Sequence, residues 1–209
     1  MNTDQIRINE QSSIRIAGSG IIYADPFHIK EEPHDADMIC LTHEHFDHFD
    51  PESIEKIRKE DTVFAAPSSM QKELEKLVQK EKIRLLLPGD SFSETFCSVE
   101  TLPSYNRMKP FHPKHSKNLG YLITMDGIRY YIAGDTDNVK ELQNISCDIA
   151  LIPIGGTYTM NAKEAASLAN SIHPDTVIPT HYGTVVGKKE DAAVFRDLVE
   201  ADIEVVIKL

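Results

Sequence analysis

The chain has no apolar run long enough to cross a bilayer and no basic segment leading into an apolar one. Neither a membrane span nor a secretory leader is read, and a cytoplasmic location is expected. Cysteine is scarce: Cys40, Cys97 and Cys147 are far apart, odd in number and without paired metal spacing, a pattern that predicts buried free thiols. Positive charge is also short, with 22 Lys and Arg against 33 Asp and Glu and a formal net charge of -11. That balance opposes nonspecific attraction to nucleic acid, so a long polynucleotide partner is not expected, although a locally positive cleft can accept a small anion. No repeat, coiled coil, disordered tail or interdomain linker stands out. At 209 residues the chain can bury a substantial core but is short for two catalytic units, which predicts one domain over residues 1–209.

What is present reads as strands interleaved with helices. Gln5 to Ile8 and Ser13 to Ile16 alternate polar and apolar residues, and Gly18-Ser19-Gly20 then turns into Ile21 to Asp25, predicting an antiparallel meander. Met38 to Leu41 reads as a buried strand, and Pro51 to Arg58 as a short helix capped by Asp50. Thr62 to Ala65 predicts a strand, followed by a helix carrying Met70, Leu74, Leu77 and Val78 with Ser68 or Ser69 as its cap. Further strands are expected at Ile83 to Leu87, Phe96 to Thr101, Tyr121 to Met125 and Tyr130 to Ala133, the last two joined by an Asp126-Gly127 turn. The closing part alternates Ile149 to Ile152, a helix over Ala162 to Asn170, Val177-Ile178, a helix from Lys189 to Glu200, and Ile203 to Ile207. The expected class is α/β, with two packed sheets and helices outside them.

Chemistry concentrates in Thr42-His43-Glu44-His45-Phe46-Asp47-His48. On extended backbone His43 and His45 present their rings to the same side, while Asp47 and His48 face a neighbouring point as the chain turns toward Pro51. Three imidazoles and a carboxylate in six residues would be a costly helix cap, so two adjacent metal positions are the better account. Asp25 can serve a ligand imidazole as acceptor or simply form a turn with Pro26. Two later motifs each put a ligand at a strand end: Gly134-Asp135-Thr136, whose carboxylate can bridge two divalent ions, and Thr180-His181-Tyr182-Gly183, whose imidazole can complete the second site. The longest irregular stretch, Pro103 to Asn118, brings Tyr105, Asn106, Arg107, Lys109, His112, Lys114 and His115 together as an active-site loop that can orient a substrate anion.

With these residues the chain resembles the metallo-beta-lactamase-fold hydrolase superfamily, and more closely its ascorbate-phosphate-lactonase-like branch of small metal-dependent hydrolases. The HxHxDH motif is His43 to His48, the glycine-aspartate strand end is Gly134-Asp135, and the late histidine is His181. Pro153 to Met160 resembles the loop that precedes a helix in the same branch. The resemblance implies a four-layer αββα sandwich, with His43 and His45 in one metal site, Asp47, His48 and His181 in the other, and Asp135 shared. Many relatives carry a histidine where this chain has Asn106. Asn106 is a weaker zinc ligand than imidazole, and His112 or His115 can replace it by folding back. Of the two, His112 is preferred because Phe111 and Pro113 can anchor its loop.

The implied activity is metal-dependent hydrolysis of a small ester, lactone or phosphoester by metal-activated water, with one or two divalent ions per chain, zinc first and manganese, iron or nickel as alternatives. Asp47 and Asp135 are the expected catalytic carboxylates. Tyr105, Asn106, Arg107, His112, Tyr158 and Tyr182 are the expected substrate contacts, in a protein able to form a homo-oligomer. A phosphodiesterase or nuclease-like hydrolase and a non-catalytic metal-binding scaffold are the competing readings.

Overall fold

The computed structural model describes residues 2–209. From the amino end, β1 (Ile6–Ile8), β2 (Ile14–Ala17), β3 (Ile21–Ala24) and β4 (Ala36–Cys40) lead to α1 (Pro51–Ile57), β5 (Arg58–Pro67), α2 (Gln71–Leu74) and β6 (Ile83–Leu86). These six strands form one sheet in sequence order, antiparallel from β1 to β3 and parallel from β3 to β6. The second half comprises β7 (Ser91–Glu94), β8 (Cys97–Pro103), β9 (Leu119–Met125), β10 (Ile128–Ile132), β11 (Ile149–Pro153), α3 (Ala162–Ile172), β12 (Thr176–Thr180), α4 (Asp191–Leu198) and β13 (Glu204–Val205). Its seven strands run in order from β13 to β7, antiparallel over β7 to β10 and parallel over β10 to β13.

Three apolar layers hold this together. Met38 and Cys40 of β4 face Tyr121, Ile132, Leu151 and Ile178 between the sheets, while Ile39 and Leu41 turn outward onto Ile54 and Ile57 of α1 and Leu74 of α2. A strand buried on both faces explains why Met38 to Leu41 is uninterruptedly apolar. On the other side α3 and α4 cover the second sheet through Ala165, Leu168, Ala169 and Phe195. The result is the four-layer αββα sandwich. The α3 terminus is set by a capping box in which Asn161 and Glu164 exchange side-chain to backbone bonds, each 2.9 Å. Asp126 and Gly127, at φ 53° and 77°, make the tight turn between β9 and β10.

Some expected elements differ. The helix read over Met70 to Val78 is a 3-10 turn at Ser68–Met70 followed by only the four residues of α2, and neither serine makes a cap bond. Leu74 already accepts from the N–H groups of Leu77 and Val78, bending the chain toward β6 after one turn. The strand expected from Phe96 starts at Cys97, and Ser91–Glu94 pairs with it as an unanticipated edge strand. Its polar Ser91 and Ser93 flank a single Phe92, too weak an alternation to read. The carboxyl-terminal strand shrinks to Glu204–Val205. No helix among the described residues is long and apolar enough to cross a membrane.

Candidate metal centre

The carboxyl ends of β3, β4, β8, β10 and β12 lie along one edge of the sandwich, because these strands run parallel within their sheets, and the Leu119 N–H donates to the Thr42 carbonyl (3.0 Å) across the two sheets. Each chemical side chain follows one of these ends. His43, His45 and His112 bring ring nitrogens together, with His43 Nε2 to His45 Nδ1 at 3.0 Å and His112 Nε2 to His45 Nδ1 at 2.9 Å. Asp47, His48 and His181 form a second group, with His181 Nε2 3.3 Å and His48 Nε2 3.7 Å from Asp47 Oδ2. Asp135 stands between the groups: its Oδ1 is 3.3 Å from His48 Nε2, and its Oδ2 is 3.4 Å from His181 Nε2 and 3.6 Å from His112 Nε2.

The surrounding hydrogen bonds decide which nitrogens carry lone pairs. Asp25 is fully buried and accepts from Thr42 N–H (2.8 Å), the Thr42 hydroxyl (2.6 Å) and His48 Nδ1–H (2.7 Å). Having given its only proton to a carboxylate, the Thr42 hydroxyl must accept from its neighbour His43 Nδ1–H, 3.0 Å away. Nδ1 of His43 and of His48 is thereby committed as a donor, which leaves Nε2, aimed inward, as the atom that imidazole ligation uses. His112 Nδ1 lies 3.3 Å from the Tyr158 carbonyl, which can only accept, so its Nε2 is left for ligation as well.

Burial would push His48 down, yet Asp135 and Asp25 overcome it and hold the ring well above its ordinary value. Burial also opposes charge on Asp135, which the His181 and His48 rings nevertheless keep well below the usual carboxylate range; Asp47 is lowered in the same way, against burial, by His181 and His48. His43 and His112 are pushed down chiefly by burial. The donor set fits a divalent ion on independent grounds. His48 Nε2, His181 Nε2 and Asp135 Oδ1 are buried without hydrogen-bond partners, an arrangement costly unless something else satisfies them. The nitrogen spacings in the first group approach the roughly 3.3 Å edge of a tetrahedron with zinc-length bonds.

Backbone conformation delivers two of these side chains. Asp135 follows Gly134 at φ 64°, where a Cβ would come within 2.9 Å of the Leu119 carbonyl. His181 itself has φ 56° and donates its N–H to the Gln11 carbonyl (2.9 Å). A Cβ on Gly155 would overlap the His181 carbonyl and come within 2.7 Å of Val186 Cγ2, so only glycine lets the chain pass.

The other sequence expectations divide. Asn106 is buried beside the first group, donating from Nδ2 to the Tyr158 carbonyl (2.6 Å) with His112 Nδ1 3.2 Å away, while its Oδ1 has no partner. His112 belongs with the histidines, whereas His115 is exposed on a 3-10 turn at Lys114–Ser116. Tyr158, between β11 and α3, is half-buried and meets Phe111 edge-on. Tyr105 turns away: its hydroxyl donates to Glu141, with Oε2 at 3.0 Å, and its ring meets Lys114. Tyr182 is buried in the core beneath α3 and α4, the left-handed turn at His181 sending the following side chain inward. Arg107 is exposed. Thr42 and Gln11 were not anticipated; Thr42 could have been suspected as a hydroxyl directly before the first ligand, while Gln11, in a turn between two strands, gave no signal.

A sequence model described as the beta-lactamase superfamily domain matches residues 5–181. A UPF0173 metal-dependent hydrolase from Pyrococcus furiosus is 30% identical over 205 residues, 92% of this chain and 90% of the relative. Among solved structures, one from Parabacteroides distasonis, provisionally described as a metal-dependent hydrolase, superimposes with a TM-score of 0.83 at 32% identity, covering 98% of this chain and 92% of that one. Igni18, a metallo hydrolase from Ignicoccus hospitalis, shares the fold with a TM-score of 0.77 at 21% identity, over 97% and 93% of the two chains.

Proposed function

Because the chain belongs to the beta-lactamase superfamily, we propose that it is a metal-dependent hydrolase of a small carboxylic ester or lactone, acting as a single domain with two divalent ions, zinc foremost. The observation that carries this reading is the convergence of buried, unpartnered His48 Nε2, His181 Nε2 and Asp135 Oδ1 beside the His43, His45 and His112 nitrogens. His43, His45 and His112 would hold one ion, Asp47, His48 and His181 the other, with Asp135 facing both. Ions bound there supply Lewis acidity toward a carbonyl oxygen and make water acidic enough to attack near neutral pH.

The protein's own groups do the rest. Asp47 keeps an ionised carboxylate at the edge of the second group and can orient the attacking water by accepting a hydrogen bond from it. Asp135 places negative charge between the two groups and lessens repulsion between cations. Asp25 and Thr42 fix the tautomers of His48 and His43, and Asn106 steadies the Tyr158 carbonyl against which His112 is held. His45, the exposed member of the first group, stands at the entrance. The ascorbate-phosphate-lactonase-like branch is the nearest functional analogy that the motifs suggest, with lactone opening as its shared chemistry.

The test combines elemental analysis of protein purified without added metal or chelator with hydrolysis of matched ester, lactone and phosphodiester panels. About two equivalents of metal and ester or lactone turnover are expected, with His112→Ala lowering both metal content and turnover. Full metal content in His112→Ala would remove that residue from the first site. A metal-free protein without turnover, even after reconstitution, would sink the hydrolase reading in favour of a structural scaffold.

A further inference from the structure

Four large apolar side chains are exposed on the loops that carry the metal-site residues. Phe46, 66% exposed, sits between His45 and Asp47; Phe111, 42% exposed, precedes His112; Met108, 93% exposed, follows Asn106 by two residues; Val185, 42% exposed, belongs to the loop that starts at His181. Of the remaining exposed large hydrophobic residues among those described, Val194 and Leu198 lie on α4, and Leu87 follows β6 and lines a cavity with Tyr105 and Lys114. Two rim rings are also braced from behind. Phe46 meets Phe27 edge-on with centroids 5.9 Å apart, and Phe111 meets Tyr158 edge-on at 4.7 Å. A braced ring gives up little conformational freedom when a ligand covers it.

The charges of the same loops are largely committed. Lys109 pairs with Asp137 and donates to the Thr159 carbonyl (2.8 Å), and Lys114 pairs with Glu141 at 2.6 Å. Arg107 is exposed, but so is Glu44, between His43 and His45, and the chain as a whole carries -11. A doubly charged phosphoester would meet an acidic protein whose loop cations are already engaged. An uncharged ester or lactone with an alkyl or aryl group would cover surface that nothing else covers.

We propose that Phe46, Met108, Phe111 and Val185 form an apolar rim that selects neutral carboxylic esters or lactones bearing a hydrophobic acyl or alkyl group. This rests on the hydrolase reading and narrows its substrate class, replacing the anionic small molecule expected from the loop's composition. The hydrophobic group lies on the rim while the carbonyl reaches the metal groups below; water adds to that carbonyl and the acyl C–O bond breaks, giving a carboxylic acid and an alcohol from an ester or a single hydroxy acid from a lactone.

The test uses metal-loaded protein with p-nitrophenyl esters from acetate to octanoate, γ-lactones of increasing alkyl length, and bis(p-nitrophenyl) phosphate. For the neutral substrates kcat/KM should rise about two- to fourfold per methylene, the upper figure being complete burial of each group. Phe46→Ala and Phe111→Ala should flatten that slope mainly through KM, while Val194→Ala, on α4, keeps it. A flat slope in the unaltered protein, or preferred turnover of the phosphodiester, would overturn the rim while leaving metal-dependent hydrolysis intact. A binding measurement stands apart from turnover. The chain has no tryptophan, so Phe46→Trp supplies a single reporter whose emission should shift to the blue with octanoate and not with acetate. Equal response to both acids refutes the rim even if no substrate is hydrolysed. So does a dimer of the unaltered protein that Phe46→Ala separates in sedimentation, since the patch would then be an interface between copies.

Discussion

Replacing Asp25 with asparagine tests the hydrogen-bond logic of the centre more sharply than replacing any ligand. Asp25 touches no ligand-forming atom of the two groups; it acts on Thr42 N–H, the Thr42 hydroxyl and His48 Nδ1 at 2.6 to 2.8 Å. In Asp25→Asn, one orientation of the amide points its NH2 at His48 Nδ1, which must become an acceptor and move its proton to Nε2, the atom aimed at the second site. The other orientation sets NH2 against Thr42 N–H, donor against donor. Either way a buried charged acceptor is lost, at about 1.5–3 kcal/mol of stability. Metal affinity should fall about 10–100-fold as the ligand loses its orienting partner. Asp25→Ala should cost more in stability, about 3–5 kcal/mol, because a buried pair is broken and several donors are orphaned together. The assays are urea unfolding of the metal-free protein and competition with a chromophoric chelator for the metal. Asp25→Asn that folds and holds two equivalents at the original affinity would refute the tautomer argument outright.

Two further perturbations probe separate parts of the structure. Gly155→Ala forces a methyl group onto the His181 carbonyl and Val186, so it should lose about 1–3 kcal/mol of stability and the metal held by His181. Gly89→Ala, with φ 96° but open space around it, should cost only about 1 kcal/mol of backbone strain and leave metal content unchanged in elemental analysis. At the far end of β4, Asp37 is lowered, against its burial, by Lys59 and the Ile21 N–H. A depressed carboxylate stabilises above its unfolded value near 4 and loses that contribution as pH falls through the lower folded value. Asp37→Asn should therefore be less stable than the parent at pH 7 by under about 1 kcal/mol, given its partial exposure. The gap should close as acid unfolding curves are followed below about pH 4; a gap that persists at pH 2 would mean that charge is not its source.

Strands buried on both faces were readable because their apolar runs have no other explanation, as in Met38 to Leu41 and Ile149 to Ile152. Edge elements were harder. Ser91–Glu94 offers one apolar residue to its neighbour, and the α2 segment has a helical period that the chain abandons after Leu74 to reach β6. The convergence of the six residues expected to hold metal was legible for a local reason, since four of them lie in one motif and the others follow strands that end on the same edge. The course of the surrounding side chains was not, because it depends on where each one turns. Tyr105 and Tyr182 are polar-tipped residues beside functional neighbours; the Thr136 hydroxyl, which accepts from the Tyr105 N–H, and the left-handed backbone at His181 set one toward Glu141 and the other into the core.

Asn106 stands where a histidine was expected, and the loop that follows brings another imidazole, His112, to the first group. The Asn106 N–H donates to the His112 carbonyl at 2.8 Å, so the intervening residues close into a compact turn and positions six apart in sequence become neighbours in space. His112 adopts φ 53°, a conformation that costs a non-glycine residue energy and sets its side chain beside that of Asn106. The imidazole then enters from position 112, while Asn106 uses its amide to hold the Tyr158 carbonyl that fixes the ring's tautomer. Spacing along the chain could nominate His112 or His115 for this place. What separates them is the turn: His112 lies where the loop returns to Asn106, whereas His115 lies beyond it on an exposed 3-10 segment that Lys117 ends in a left-handed conformation before β9.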